Sequence, residues 1–122
     1  MLHLDYRDAR PIYTQIADGF RNRIASGVLH TDDRLPSVRE LAAELSINPN
    51  TIQRAYRQLE AEGWIATVPG KGCFVCGDQR PVEEEKKRLL AALDASVEAL
   101  VAFGVSRDTL IARIGRGGNN HA

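Results

Sequence analysis

The feature that most constrains the fold is a very short connection between two segments with helical patterning. Ser37 followed by Glu40 matches a capping box and predicts a helix start, and apolar residues at helical spacing follow. Asn48 and Pro49 form a second start signal, because Asn is a favoured N-cap and Pro a favoured first-turn residue. Gly63 is typical of the end of that second helix. The spacing therefore predicts a helix-turn-helix.

The segments on either side predict a third helix and a hairpin. Residues 11–26 begin with Pro and carry one apolar stripe at helical spacing, formed by Ile12, Tyr13, Ile16, Phe20 and Ile24. Two β-prone runs, at residues 64–68 and 73–76, follow the predicted helix-turn-helix and flank a Pro-Gly-Lys-Gly loop. A short strand is also possible at residues 34–35. The expected fold class is mainly α with a small β-hairpin wing, a winged helix-turn-helix.

A polar, broken stretch near residue 77 divides the chain into residues 1–77 and 78–122. A long amphipathic helix is predicted over 82–103 and a short one over 107–115, followed by a disordered tail from residue 115. The short helix cannot cover the whole apolar stripe of the long one, whereas a symmetric second copy can. The residues expected in this two-helix dimerisation region are Leu89, Leu90, Leu93, Val97, Leu100 and Val101.

Bulk charge carries little information, since sixteen basic and sixteen acidic residues give a net charge of zero. Any electrostatic recognition must therefore be local. No apolar run reaches the roughly 18 residues of a membrane span, and the charged N-terminus is unlike a signal peptide, so we expect a cytoplasmic protein. No constellation of nucleophile, base and acid lies at workable spacing, and the sequence does not predict an enzyme.

Cys73 and Cys76 form a C-x-x-C motif within the predicted wing. A structural zinc site needs four ligands, and His3, His30 and His121 show no complementary spacing. A redox motif would open a helix, whereas this segment is predicted to be a strand, in which residues three apart point to opposite faces. We therefore expect two small structural residues, no metal and no cofactor.

The second helix of the pair has two different sides. At about 100° per residue, its core side holds Ile52, Ala55, Tyr56 and Leu59. The opposite side is polar or basic over its first two turns, and no acidic residue occurs between residues 45 and 59. This side with its flanks comprises Asn50, Thr51, Gln53, Arg54, Arg57, Gln58 and Ala61. Asn and Gln can pair with adenine edges and Arg with guanine, and the start of such a helix enters the major groove.

Two basic residues outside that helix extend the same hypothesis. Lys71 lies between two glycines in the wing loop, where small neighbours allow close approach to a duplex. Arg39 lies near the start of the preceding helix and could hold a backbone phosphate. The alternatives are a solvated helix surface and, for Arg39, a surface salt bridge.

The stretch RLPSVRELAAELSINPNTIQRAYRQLEAEGWIATVPGKGCFV resembles the DNA-binding domain of GntR-family bacterial regulators. The pattern NPNT-x-x-RAY-x-x-L-E-x-E-G, followed by G-K-G-x-F-V, is similar to the YtrA-like subfamily, which has a short two-helix dimerisation region. The resemblance implies that Arg39 grips phosphate. It places the recognition turn and the wing contact at Asn48, Asn50, Thr51, Gln53, Arg54, Gly70 and Lys71. Thr31-Asp32 and Cys73 depart from the commoner Pro-Gly and Thr.

These observations predict a sequence-specific DNA-binding transcription regulator that binds an inverted-repeat operator as a homodimer, and the resemblance to the GntR family implies that it is a repressor. Its expected partners are double-stranded DNA and a second copy of itself. A small-molecule effector is not identified, and its pocket could form only between the C-terminal helices or at the dimer interface. The competing interpretation is a winged helix that binds proteins and has lost DNA binding, which zero net charge slightly favours.

Overall fold

The computed structural model describes residues 2–117, which form five helices and one two-stranded sheet. The elements are α1 (Ile12–Ala25), α2 (Val38–Leu45), α3 (Pro49–Ala61), β1 (Ile65–Val68), β2 (Gly72–Val75), α4 (Arg80–Ala102) and α5 (Arg107–Gly117). The chain divides into two compact units, of which the first ends at Val82 and the second begins at Glu83. The mainly α fold with a hairpin wing, predicted from the sequence, is confirmed.

The core of the first unit is built from the apolar stripes of α1, α2 and α3. The predicted inward side of α3 is confirmed, since Ile52, Ala55, Tyr56 and Leu59 are all buried. Phe20 of α1 packs edge-on against Tyr56, with ring centroids 5.7 Å apart and planes at 77°. The core is completed by Ile16, Ala17, Leu35, Leu41, Ala42, Trp64, Ile65, Val75 and Val82.

The turn between α2 and α3 is defined by caps that the sequence predicts. The Ser37 hydroxyl accepts a hydrogen bond from the Glu40 backbone N–H at 3.0 Å, and the Asn48 side chain accepts one from the Asn50 N–H at 2.8 Å. Ser46 closes α2 in the left-handed region at φ +55°. In a complete capping box the Glu40 side chain would also accept the Ser37 N–H, but this half of the predicted motif is absent from the described residues, and the Glu40 carboxylate lies 3.9 Å from Arg34 Nη2.

The wing is a short antiparallel hairpin in which Ile65 pairs with Val75 and Val68 with Gly72. The Lys71 N–H donates to the Val68 carbonyl at 2.9 Å, and Gly70 has φ +76°, which fits a type II turn with Pro at the first central position. The strands are offset by one residue from the predicted runs. The strand expected at residues 34–35 occurs as a single bridge from Arg34 to Phe74.

The N-terminal segment is docked onto α1, which sequence patterning does not predict. Leu2 is buried, and a Cβ placed on Gly19 would lie 2.2 Å from Leu2 Cδ2, so a larger residue at position 19 would require the Leu2 side chain to shift. The buried Gln15 amide accepts from the Asp5 backbone N–H at 2.8 Å and donates to the Asp5 carbonyl at 3.0 Å. Local apolar periodicity carries no information on either contact.

The second unit contains most of α4 and all of α5, joined by a turn at Gly104, which has φ +93°. Helix α4 begins two residues before the predicted start, because Asp78 Oδ1 accepts the Arg80 N–H at 2.9 Å. Helix α5 continues to Gly117, so the expected disorder is wrong for residues 115–117. The rest of that tail, residues 118–122, lies outside the described residues.

The apolar stripe of α4 is largely uncovered. Leu89, Leu90 and Leu93 are 53%, 60% and 44% exposed, and Leu100 is 41% exposed. Val97 and Val101 are intermediate in exposure, and Leu110 of α5 is buried. Between residues 2 and 117 there is no helix with the length and apolarity that crossing a membrane requires.

Candidate nucleic-acid interface

The solvent side of α3 carries the predicted contact residues together. Asn48, Asn50, Arg54 and Arg57 are exposed, and Thr51 and Gln53 are intermediate in exposure. We call these six residues the recognition face. Its first turn contains no acidic residue, so the positive end of the helix dipole is not neutralised there. The face therefore presents amides, a hydroxyl and two guanidinium groups next to a helix N-terminus.

Asn48 has a structural role that limits what it can offer a ligand. Its side-chain oxygen accepts the Asn50 N–H at 2.8 Å and caps α3. The amide NH₂ of the same side chain remains available as a donor. Asn50 and Gln53 keep both ends of their amides available, since no hydrogen bond to either side chain forms within residues 2–117.

The distribution of ion pairs shows why zero net charge is compatible with a basic surface. In the first unit, carboxylates lie close to the four arginines Arg10, Arg21, Arg34 and Arg80. In the described part of the chain, no such partner lies beside Arg39, Arg54, Arg57 or Lys71. Within residues 2–117, Arg7 and Arg23 of the same unit also lack a carboxylate partner, so unpaired cations occur elsewhere too, but every basic residue among the predicted DNA contacts is uncompensated. The salt-bridge alternative for Arg39 is therefore not what the structure contains.

Arg54 has a contact that the sequence does not reveal. Its guanidinium carbon lies 3.9 Å from the centroid of the Tyr13 ring, which comes from the first turn of α1. The apolar pattern of α1 accounts for Tyr13 as a core residue, and its ring is indeed partly buried against the core. A guanidinium held by a ring face has spent none of its N–H donors on a carboxylate, so they remain available to a ligand.

The wing is attached to the last turn of α3 by two acidic residues that sequence reasoning missed. Glu60 Oε2 accepts the backbone N–H of Thr67 at 3.0 Å. Glu62 Oε1 accepts from Trp64 Nε1 at 3.0 Å and from Arg21 Nη2 at 2.8 Å. These contacts fix the position from which the wing loop, with exposed Gly70 and Lys71, projects.

Arg21 is the buried centre of this network. It is 8% exposed, bonds Glu62 through Nε and Nη2, and bonds Asp18 through Nη1 at 2.7 Å. The available signal was an arginine beside the apolar stripe of a helix, four residues after the buried Ala17. The sequence gives no means of finding its partner, which lies 41 residues away.

The C-x-x-C residues are both free thiols of intermediate exposure. Cys73 Sγ lies 3.4 Å from Thr67 Oγ1 across the hairpin. Burial raises the pKa of the Cys76 thiol, and the neighbouring carboxylates of Asp78 and Asp32 raise it further. A raised pKa disfavours the thiolate, which is the reactive and metal-binding form of cysteine.

A helix-turn-helix with an uncompensated basic and amide surface, followed by an anchored hairpin, defines a winged helix-turn-helix of the DNA-binding class. Comparison with known families agrees: residues 12–75 match the family described as "Bacterial regulatory proteins, gntR family". This chain therefore belongs to the GntR family, and the predicted resemblance is confirmed.

The individual relatives are regulators and not enzymes. The chain is 36% identical over 99 residues to the transcriptional repressor YtrA of Bacillus subtilis, covering 74% of this chain and 76% of YtrA. A GntR family transcriptional regulator from Listeria monocytogenes is 35% identical, with a TM-score of 0.77, over 93% of this chain and 98% of its own. The DNA-binding domain of AraR in complex with its operator is 27% identical, with a TM-score of 0.54. The match covers 61% of this chain and 89% of the AraR chain.

Proposed function

We propose that this protein is a transcriptional repressor that reads a specific operator with the recognition face. The observation that carries the proposal is the placement of uncompensated cations: Arg39, Arg54, Arg57 and Lys71 have no carboxylate partner among the described residues. An exposed cation without a carboxylate partner gains nothing for folding, whereas a phosphate backbone would pair each of these four. The repressor YtrA and the operator-bound AraR domain support the same conclusion.

The residues divide into those that read bases and those that hold the backbone. Asn50 and Gln53 carry amides that can bond an adenine edge, and Arg57 can bond guanine in the major groove. Arg39 on α2 and Lys71 at the wing tip lie outside α3 and are suited to phosphate. Backbone contacts would set the register, and contacts to base edges would set the sequence preference.

A winged helix that binds only proteins is the competing function. The cores of protein interfaces are depleted of Lys and rich in aromatic or apolar anchors. On the exposed recognition face of α3 the side chains are instead amides, one hydroxyl and arginines. Zero net charge no longer favours this alternative, because the ion pairs lie away from the recognition face.

We also propose that residues 78–122 form a homodimerisation region. The α4 side chains Leu89, Leu90, Leu93 and Leu100 are 41–60% exposed, a surface that a second copy of the same helix could bury. Two DNA-binding heads in one complex make the second contact intramolecular, at an effective concentration on the order of millimolar. A two-fold dimer reads a pseudo-palindrome, so the operator would be an inverted repeat.

The site of action follows from DNA as the ligand, and we place the protein in the cytoplasm. A small-molecule effector, if one exists, would bind within the C-terminal region or at the dimer interface.

Binding to DNA is tested with duplexes that the wild-type chain selects from a random library. Arg39→Ala and Lys71→Ala should bind these duplexes more weakly, and the log–log dependence of affinity on salt should flatten by about one unit for each phosphate that the variant no longer neutralises. Lys87→Ala is the matched control, because Lys87 is an exposed cation on α4. Equal effects in all three variants would contradict the assigned surface.

The dimer is tested by sedimentation at micromolar concentration. Leu93→Asp places a charge in the proposed interface and should yield a monomer. Ala95→Asp introduces the same charge at an exposed position on the opposite side of α4 and should leave the dimer intact. A wild-type monomer, or two variants that dissociate equally, would contradict the proposal.

A further inference from the structure

The contact between Arg54 and Tyr13 joins the recognition face to a helix that has no other assigned part in binding. Arg54 lies in the second turn of α3 and Tyr13 in the first turn of α1, and the two helices pack together in the first unit. The guanidinium carbon is 3.9 Å from the ring centroid, well inside the range of a cation–π interaction. Arg54 has no carboxylate partner in the described range, so the ring is what holds its tip.

This stacking has two consequences for a side chain that must bind. A free arginine loses rotamer freedom when it docks, and a stacked one has already lost part of it. The guanidinium lies over the ring and has no carboxylate partner among the described residues, so its planar fork of N–H donors is left for a ligand. Such a fork matches two acceptors in one plane, as in the O6 and N7 atoms of guanine or two oxygens of a phosphate.

We propose that Tyr13 is a positioning residue for DNA recognition: its ring holds the Arg54 guanidinium ready for bidentate contact with the duplex. The inference rests on the proposed function and adds a residue of α1 to the binding machinery. Tyr13 acts through Arg54 and through its ring, not through its hydroxyl, which has no hydrogen-bond partner in the described structure.

A double-mutant cycle tests this. The variants are Tyr13→Leu, which keeps apolar volume without the ring, Tyr13→Phe, which keeps the ring, Arg54→Ala, and Tyr13→Leu combined with Arg54→Ala. Affinity is measured by fluorescence anisotropy on a labelled duplex selected by the wild-type chain. Each variant is also melted, and binding is compared well below every melting temperature.

Tyr13→Leu should weaken binding about two- to fivefold for each head that contacts the duplex, as expected when an exposed cation–π interaction is removed. Tyr13→Phe should bind like wild type, and Tyr13→Leu should have no further effect once Arg54 is alanine. If the fork meets guanine, Tyr13→Leu also relaxes preference at one base pair. If it meets phosphate, affinity falls equally on all sequences.

Three results would overturn the inference. One is an effect of Tyr13→Leu that persists undiminished beside Arg54→Ala, which would mean that Tyr13 acts through packing alone. Another is a loss of affinity in Tyr13→Phe as large as in Tyr13→Leu, which would assign the role to the hydroxyl. The third is wild-type affinity in Tyr13→Leu. A wild-type chain that binds no selected duplex would instead refute the proposed function itself, and this inference with it.

Discussion

Replacing Glu62 by Gln tests the network that anchors the wing. The carboxylate accepts from Arg21 at 2.8–3.0 Å and from Trp64 Nε1 at 3.0 Å. Removing one partner of a buried ion pair costs roughly 3–5 kcal/mol. Here the Glu62 side chain is 38% exposed, and Asp18 keeps its bond to Arg21, so the expected loss is about 2–3 kcal/mol.

The loss should be visible as a lower melting temperature. For a domain of about 60–100 residues, 1 kcal/mol corresponds to about 4–8 °C, so Tm should fall by about 10–20 °C. The chain has a single tryptophan, and because Trp64 bonds Glu62 directly, its fluorescence reports unfolding at the affected site. Circular dichroism of the same samples monitors the helices.

Glu83→Gln is the matched control, because the Glu83 carboxylate pairs with Lys86 at 3.4 Å and both side chains are more than 60% exposed. Such surface pairs contribute well under about 1 kcal/mol, so Tm should change by only a few degrees. If Glu62→Gln lowers Tm by no more than Glu83→Gln does, the buried Arg21 network does not stabilise the fold as argued.

The remaining predictions concern the binding surface, the thiols and the core. Arg54→Ala should cost about 1–3 kcal/mol of specific binding and relax one base position if the fork meets guanine, whereas Lys71→Ala should weaken binding to all sequences alike; unchanged affinity in both, measured by gel shift, would contradict the assignment. Cys73→Ser/Cys76→Ser should bind DNA like the parent, with or without reductant or EDTA, and stoichiometric zinc in the purified protein would count against this. Because burial raises the pKa of Cys76, iodoacetamide should modify it more slowly in the folded than in the unfolded chain, with the difference shrinking as pH rises past that pKa. Tyr56→Phe removes a 2.6 Å hydrogen bond from the phenol to a backbone carbonyl and should cost about 1–2 kcal/mol of stability, checked by urea unfolding; a loss of nearly zero would mean that water replaces the bond.

The sequence predicts the parts of this molecule that depend on local patterning. The caps at Ser37 and Asn48 and the apolar side of α3 follow from preferences that act within one helical turn, and each is present in the structure. The exposed polar side of α3 follows from the same periodicity, since its two sides cannot both face the core.

Features that depend on distant partners could not be predicted. The Arg21–Glu62 pair, the Tyr13 stack on Arg54 and the docking of Leu2 against Gly19 each join residues that are far apart in sequence. Periodicity gave Tyr13 an inward position but cannot show that its ring also holds a cation. The predicted end of α5 is two residues too early, because the cost of glycine in a helix is only about 1 kcal/mol relative to alanine and does not by itself end one.

The central claim is that the exposed side of α3 reads a DNA sequence, and selection from a fully randomised duplex library tests it most directly. The wild-type chain and a variant with Asn50, Gln53 and Arg57 replaced by alanine would be carried through the same rounds and sequenced. These three side chains are outside the buried core, so the variant should fold, and circular dichroism verifies that it does. The wild-type pool should converge on an inverted repeat with half-sites about one helical turn apart, and the variant pool should not. Convergence of both pools on the same motif, or of neither, would contradict the account.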